Sequence, residues 1–284
     1  MRFLSCYWLA PAVPVLLACE PNLVWTEPKT YLPAPTETIM VDGFGISDSV
    51  SILPPGAATI TVSHSITNAG TGAVSGSYIA TDSVVRWVFQ GGPTVGYGWV
   101  PGPASSYTVP TSPATGPPLG AGATATIAFP PFAIPSGCGL YSETLTIDAG
   151  ATVSESNEAD NVDSTTHLFF VPSTQQFNIT VNEINSSIGH LQVDPPTHQF
   201  IVTPAGAPGW IFAGFSFTAT EGSRAYTVPA PPIPAGPGPQ VITMHVRPRQ
   251  HALSGGGTVT GKVTVISADG CVLKQQSATV FVEH

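Results

Sequence analysis

Five acidic side chains fall within sixteen residues: Asp148, Glu155, Glu158, Asp160 and Asp163, with Asn157 and Asn161 among them. Oxygen ligands at this density suit Ca²⁺, which takes about 6–8 of them. Asp148, Glu155, Asn157, Glu158 and Asp160 form the candidate metal set. The spacing lacks the D-x-D-x-D-G run of an EF-hand. The competing reading is that these carboxylates and amides bond the backbone of an irregular turn. Calcium is the one cofactor the sequence leaves open.

A second chemistry is aromatic. Trp87, Tyr97 and Trp99, with Phe89 and Tyr107 nearby, sit among Gly91, Gly92, Gly96 and Gly98. Flat rings on glycine-rich loops stack on sugars or anchor a protein partner. Trp87, Tyr97 and Trp99 are thus the candidate ligand-binding residues, for a protein or polysaccharide. The competing reading is a hairpin packing its rings on its own domain, because Trp87 and Phe89 end an apolar run.

Other reactive residues are scattered. His64 and Glu143 lie on the apolar parity of their strands, which would allow a buried His–carboxylate pair or exposure at a sheet edge. His245 and His251 match no metal spacing. Nucleophile elbows, zinc-protease motifs, Walker loops and C-x-x-C pairs are absent from the sequence. The chain reads as non-enzymatic.

The elements that carry these residues are strands. The chain has 284 residues, 42% of them hydrophobic and 9% charged, with 29 glycines and 30 prolines. Gly and Pro at this frequency break long helices, while Thr, Val and Ile favour strands. A net charge of −9 with only 8 Lys and Arg argues against nucleic acid as a partner.

Ile60, Val62, His64 and Ile66 alternate with polar residues, as do Val259, Gly261, Val263 and Val265. Short runs bounded by Gly, Pro, Asn and Asp predict an all-β chain of two tandem immunoglobulin-like β-sandwiches. Tyr107-Thr-Val-Pro110 returns as Tyr226-Thr-Val-Pro229, which suggests an internal repeat with an insertion between Asn68 and Tyr107 in the first unit.

The N-terminus reads as an address. Arg2 is followed by an uncharged apolar run to Ala18, short for a membrane span of about 20 residues. Leu16-Leu17-Ala18-Cys19 resembles a bacterial lipobox, and that resemblance implies cleavage before Cys19 and lipid on its sulfur. Glu20 after the Cys implies the outer membrane, by similarity to Gram-negative lipoproteins. The expected layout is a signal peptide over 1–18, a Pro-rich tether over 19–38, and sandwiches over 39–172 and 173–284. Lipid would be the membrane contact, placing the chain in the cell envelope or on the cell surface; ordinary secretion is the alternative.

The first unit resembles the CARDB family, bacterial "cell adhesion related" immunoglobulin-like domains. The resemblance rests on Ile60-x-Val62-x-His64-x-Ile66-x-Asn68-Ala69-Gly70, on Leu119-Gly120-Ala121-Gly122, and on Thr146-Ile147-Asp148 running into Glu155-Ser-Asn157-Glu158-Ala-Asp160-Asn161. Asp160 stands where the family pattern has Asn. The resemblance implies a seven-stranded sandwich in an extracytoplasmic protein, with no single ligand and no catalysis. An adhesion or binding module is the leading expectation; a spacer or assembly subunit with buried Trp87, Tyr97 and Trp99 is the alternative.

With Cys19 taken by lipid after the proposed processing, two cysteines are left free, Cys138 and Cys271, one per unit. Strands of such a sandwich run alternately up and down. Counting them puts both cysteine loops at the junction of the two units. Either an interdomain disulfide forms, as export to an oxidising compartment permits, or two thiols are buried.

Overall fold

The computed structural model describes residues 19–92, 96–102, 108–134, 137–163 and 167–174. In the second unit it describes the strands and residues 269–272, with side chains given only for Thr264, Ile266, Ser267 and Asp269–Gln275. Residues 1–18, and with them the signal reading, lie outside the described residues.

The first unit holds β1 (Leu23–Leu32), β2 (Glu37–Gly43), β3 (Ile46–Ile52), β4 (Thr59–Asn68), β5 (Tyr78–Gly92) and β6 (Gly96–Pro101). It continues through β7 (Thr108–Val109), β8 (Ala114–Gly116), β9 (Thr124–Ala128), β10 (Phe132–Ala133), β11 (Gly139–Thr146) and β12 (His167–Val171). The second holds β13 (Phe177–Ile184), β14 (Thr197–Pro204), β15 (Phe212–Glu221), β16 (Arg224–Val228), β17 (Gln240–His245), β18 (Gly257–Ser267) and β19 (Leu273–Val282).

In the first unit β4 pairs with β1, β9 and β10 in one sheet. The other runs β2-β3-β12-β11-β5-β6, with β7 and β8 also on β5. The second unit has sheets β13-β14-β17 and β16-β15-β18-β19. The protein is therefore a tandem all-β, immunoglobulin-like sandwich. No helix among the described residues is long and apolar enough to cross a membrane.

The repeat is visible in strand pairing. Val109 of β7 pairs with Val84, which also pairs with Glu143 of β11. Val228 of β16 pairs with Phe217, which also pairs with Val263 of β18. Between Val84 and Val109 the first unit inserts the β5–β6 hairpin, inside the segment where the sequence predicts extra residues.

Residues 19–38 depart from the expected tether. Leu23 to Leu32 form β1, antiparallel to β4 from Leu23↔Asn68 to Leu32↔Thr61. Leu23 and Tyr31 are buried in the core and Trp25 packs against it. The register shifts between Thr26 and Lys29, so Pro28 falls in an irregularity where the ladder needs no N–H. Even Glu20 is tied down: its carbonyl accepts from Thr71 N and Gly72 N at 3.0 and 2.9 Å. The first sandwich begins about twenty residues before the expected boundary at 39.

Two segments of the family-like pattern meet. Asn68 Nδ2 donates to the carbonyls of Gly72 and Leu119 at 2.8 and 3.2 Å, and Gly122 N donates to Asn68 O at 2.8 Å. One buried amide thus closes the end of β4 against the 119–122 turn.

The larger sheet is buried on both faces. Tyr141, Leu145, Phe169 and Val171 face the core between the sheets. Leu140, Leu168 and Phe170 face outward, where they pack with Ile39, Val41, Trp99 and, from the second unit, Ile266 and Leu273. Covering on both faces explains why His167-Leu-Phe-Phe-Val171 shows no polar alternation.

Candidate functional site

Six ionisable residues meet inside the first sandwich: Lys29, His64, Asp82, Glu143, Asp163 and His167. Strand register gathers them. Lys29 of β1 pairs with His64 of β4, and Glu143 of β11 pairs with His167 of β12 and with Val84, two residues from Asp82 on β5. Residues two apart on a strand share a face, so Asp82 and Glu143 point from the larger sheet toward Lys29 on the smaller one.

Lys29 Nζ contacts Glu143 Oε2, with the two side chains 5% and 0% exposed. Tyr31 OH donates to the same oxygen at 3.1 Å. Lys29 Nζ also lies 5.0 Å from the Tyr31 ring centre. Burial lowers the Lys29 pKa, and the Glu143 charge opposes it. Burial and then the Glu143 charge push Asp82 up to about 8, with Lys29 opposing. Burial also raises Tyr31 well above its usual range, so it stays a donor.

Beside this quartet, Asp163 Oδ2 accepts from His167 Nε2 at 2.6 Å and stands 3.9 Å from His64 Nε2. His64 Nδ1 lies 3.0 Å from the Ser65 carbonyl. A carbonyl only accepts, so Nδ1 carries the proton and Nε2 the lone pair. Burial, chiefly, lowers the His64 pKa. The Trp25 ring meets His64 edge-on at 4.9 Å. His64, Asp163 and His167 offer donor atoms within 4.8 Å of one another, and are the described residues that could hold a metal. Tetrahedral zinc sets neighbouring ligand atoms about 3.3 Å apart. The 2.6 Å Asp163–His167 separation is that of a hydrogen bond, so the group stands as a hydrogen-bonded pair with His64 alongside.

The acidic loop is not gathered around a point. Asp148 accepts from Thr152 N, Thr152 Oγ1 and Val153 N at 3.0, 2.7 and 2.7 Å. Glu155 Oε2 accepts from Leu23 N. Glu158 accepts from Glu155 N and Asn161 Nδ2, both at 3.0 Å. Asn157 caps the short 3-10 turn Glu158–Asp160 through Ala159 N. Asp160 Oδ2 accepts from Asn22 Nδ2 at 3.1 Å. These bonds aim the oxygens in separate directions and do not form the calcium set expected from composition. They fasten the start of β1 instead, helped by Ser156 N donating to Pro21 O at 2.9 Å.

The aromatic hairpin is also spent internally. Trp99 is 3% exposed, so its ring is no open ligand platform; Trp87 is half-buried against the same cluster, and the Tyr97 side chain lies outside the described residues. Trp99 meets Phe89 and Phe170 at ring separations of 4.7 and 6.1 Å. The tight β2–β3 turn supports it: Trp99 N donates to Phe44 O at 2.7 Å. Gly45 there has φ +82, and a β-carbon on it would come within 2.8 Å of Trp99 O. Rings at the end of an apolar run found cover because a second domain lies over them.

Cys138 and Cys271 form a disulfide with 5.2 Å between α-carbons, tying the loop before β11 to the loop before β19. Ser173 N donates to Cys271 O at 2.8 Å across the same junction, and Gln275 Nε2 to Met40 O at 2.6 Å.

The sequence shows the parity of His64 and Glu143. It misses Lys29, which follows a proline inside the presumed tether, and Asp82, an acid inside an apolar run.

The fold and site define a tandem immunoglobulin-like sandwich with a charged core. No family model matches the chain, and no curated protein matches it. Among solved structures it is similar to red sea bream transglutaminase at 12% identity and TM-score 0.29, over 81% of this chain and 30% of that one. The chain thus spans under a third of that enzyme. It is similar to the CsuC–CsuE chaperone–tip adhesion subunit complex of Acinetobacter baumannii at 7% identity and TM-score 0.25, over 80% and 93% of the two chains. The class 5 fimbriae chaperone CfaA gives 12% identity and TM-score 0.25, over 83% and 96%. Likenesses this distant assign no activity.

Proposed function

We propose that the chain is a non-enzymatic, exported spacer module, held to the cell envelope by lipid on Cys19. One observation carries this reading. The rings that would have bound a partner, Trp99 foremost, are consumed in a junction that a disulfide clamps. The disulfide favours an oxidising compartment, in keeping with the lipobox-like run before Cys19 and with the CARDB-like pattern. A protein or polysaccharide adhesin remains the alternative, and it needs a surface other than this hairpin.

In the full-length chain Cys19 is disulfide-bonded, to a partner outside the described residues. Lipid and disulfide are exclusive uses of one sulfur. Cells labelled with palmitate decide between them: label in the wild type and none in Cys19→Ser is expected, while an unlabelled wild type rejects the anchor. Immobilised chain 20–284 should retain no envelope protein or glycan. Specific retention of either would turn the reading to adhesion.

A further inference from the structure

We propose that Lys29 and Glu143 condense into an intramolecular amide that joins the two sheets of the first sandwich. This goes beyond the spacer reading and stands whether or not the chain is anchored by lipid.

The geometry supplies the reactants. Lys29 Nζ is in direct contact with the Glu143 carboxyl, the two side chains being 5% and 0% exposed. Contact between strands of a folded core replaces a bimolecular encounter, and well-oriented intramolecular pairs reach effective molarities of about 10⁵–10⁸ M. A second carboxyl, Asp82, shares the same pocket and lies 4% exposed. Lys29 Nζ, Glu143 Oε1 and both Asp82 oxygens are buried without a well-formed hydrogen bond. Groups left in that state are costly as charges. An amide removes two of those charges at once.

Protonation states suit the step. Burial lowers Lys29, which favours a free amine, and holds a proton on Asp82 at neutral pH. One proton passes from Lys29 Nζ to the Glu143 carboxyl it touches, and the freed nitrogen lone pair then attacks Cδ, forming the N–C bond. Tyr31 OH, already on Oε2, bonds the oxygen that gains charge. The C–O bond to the other oxygen then breaks. Asp82 gives its proton to the departing hydroxyl and takes one from the nitrogen, so it ends as it began. The products are one amide and one water; no oxidant or activating group is needed.

The test is the intact mass of the purified, reduced and denatured full chain beside Lys29→Arg from the same preparation. The wild type should be lighter than the substitution alone explains, by one water. Proteolysis should release a branched peptide joining Lys29 to Glu143. Asp82→Asn should slow the loss of water by about a hundredfold or more, as removal of a general acid–base group does. Wild type at full mass after prolonged folding overturns the proposal, whether or not the variants fold. A branch from Lys29 to Asp82 overturns the assignment of Glu143.

Discussion

Gly270 lies against Phe89 so closely that an added β-carbon would come to 2.6 Å of the Phe89 Cβ and 2.9 Å of the Trp99 ring. Its φ is +68, a left-handed value that side chains disfavour. Sequence distance hides this contact: one residue sits in the last loop of the second unit, the other on the longest strand of the first. Gly270→Ala should therefore destabilise the junction by about 2–4 kcal/mol, from backbone strain and overpacking together. Denaturant unfolding measures it, and acrylamide should quench Trp99 more readily in the variant. An unchanged midpoint would mean that the two units do not pack this way in solution.

The disulfide closes a sequence separation of 133 residues. Loop-closure entropy gives such a bond roughly 2–5 kcal/mol. Reduction, or Cys138→Ser, should lower the melting temperature and expose the 172–174 connection to protease. Equal protease resistance with and without reductant would show that packing alone holds the junction.

Asp148 has φ +44 and takes three hydrogen bonds from Thr152 and Val153. Asp148→Ala should cost roughly 2–4 kcal/mol, since bonds to a charged group are the stronger kind. Added Ca²⁺ or chelator should leave the melting curve of the wild type in place. A calcium-dependent shift, lost in Asp148→Ala, would restore the metal reading.

His64 makes stability depend on pH. Its folded pKa lies below the ordinary value of 6.5, chiefly through burial, with the Lys29 and His167 charges adding and the Ser65 carbonyl and Asp163 opposing. The unfolded chain then binds the proton more readily, so stability rises with pH through this window. The contribution is present above about 6.5 and is lost as pH falls below it. Chemical unfolding at pH 7.5 and 5.0 should show the wild type weaker at the lower pH, and His64→Gln should flatten that difference. A steeper slope in His64→Gln would place the titrating group elsewhere.

Strand parity made the sandwich legible, because one face of each strand of the smaller sheet is wet. Ile60, Val62, His64 and Ile66 carry that signal and do face inward. Lys29 escaped because the pairing of β1 is interrupted between Thr26 and Lys29, with Pro28 inside the gap, so the run does not read as one strand. The fate of Trp99 was open for another reason. A ring beside glycines is a binding platform or a core residue depending on what covers it, and its cover, Ile266 and Leu273, comes from a separate domain. Acidic loop residues looked like ligands because composition records oxygen atoms but not the backbone donors they face.

Cys138 precedes β11, and Cys271 precedes β19. Tension applied to the chain on either side of these two residues travels through the sulfur bridge. Strands β13 to β18 lie within the bypassed loop, so of the second sandwich only β19 carries load. Stretching can strip β19 from β18 but cannot unravel what the bridge encloses. Under mechanical stress the second unit is therefore a protected passenger until a reductant cuts the bridge and adds its full contour length to the tether.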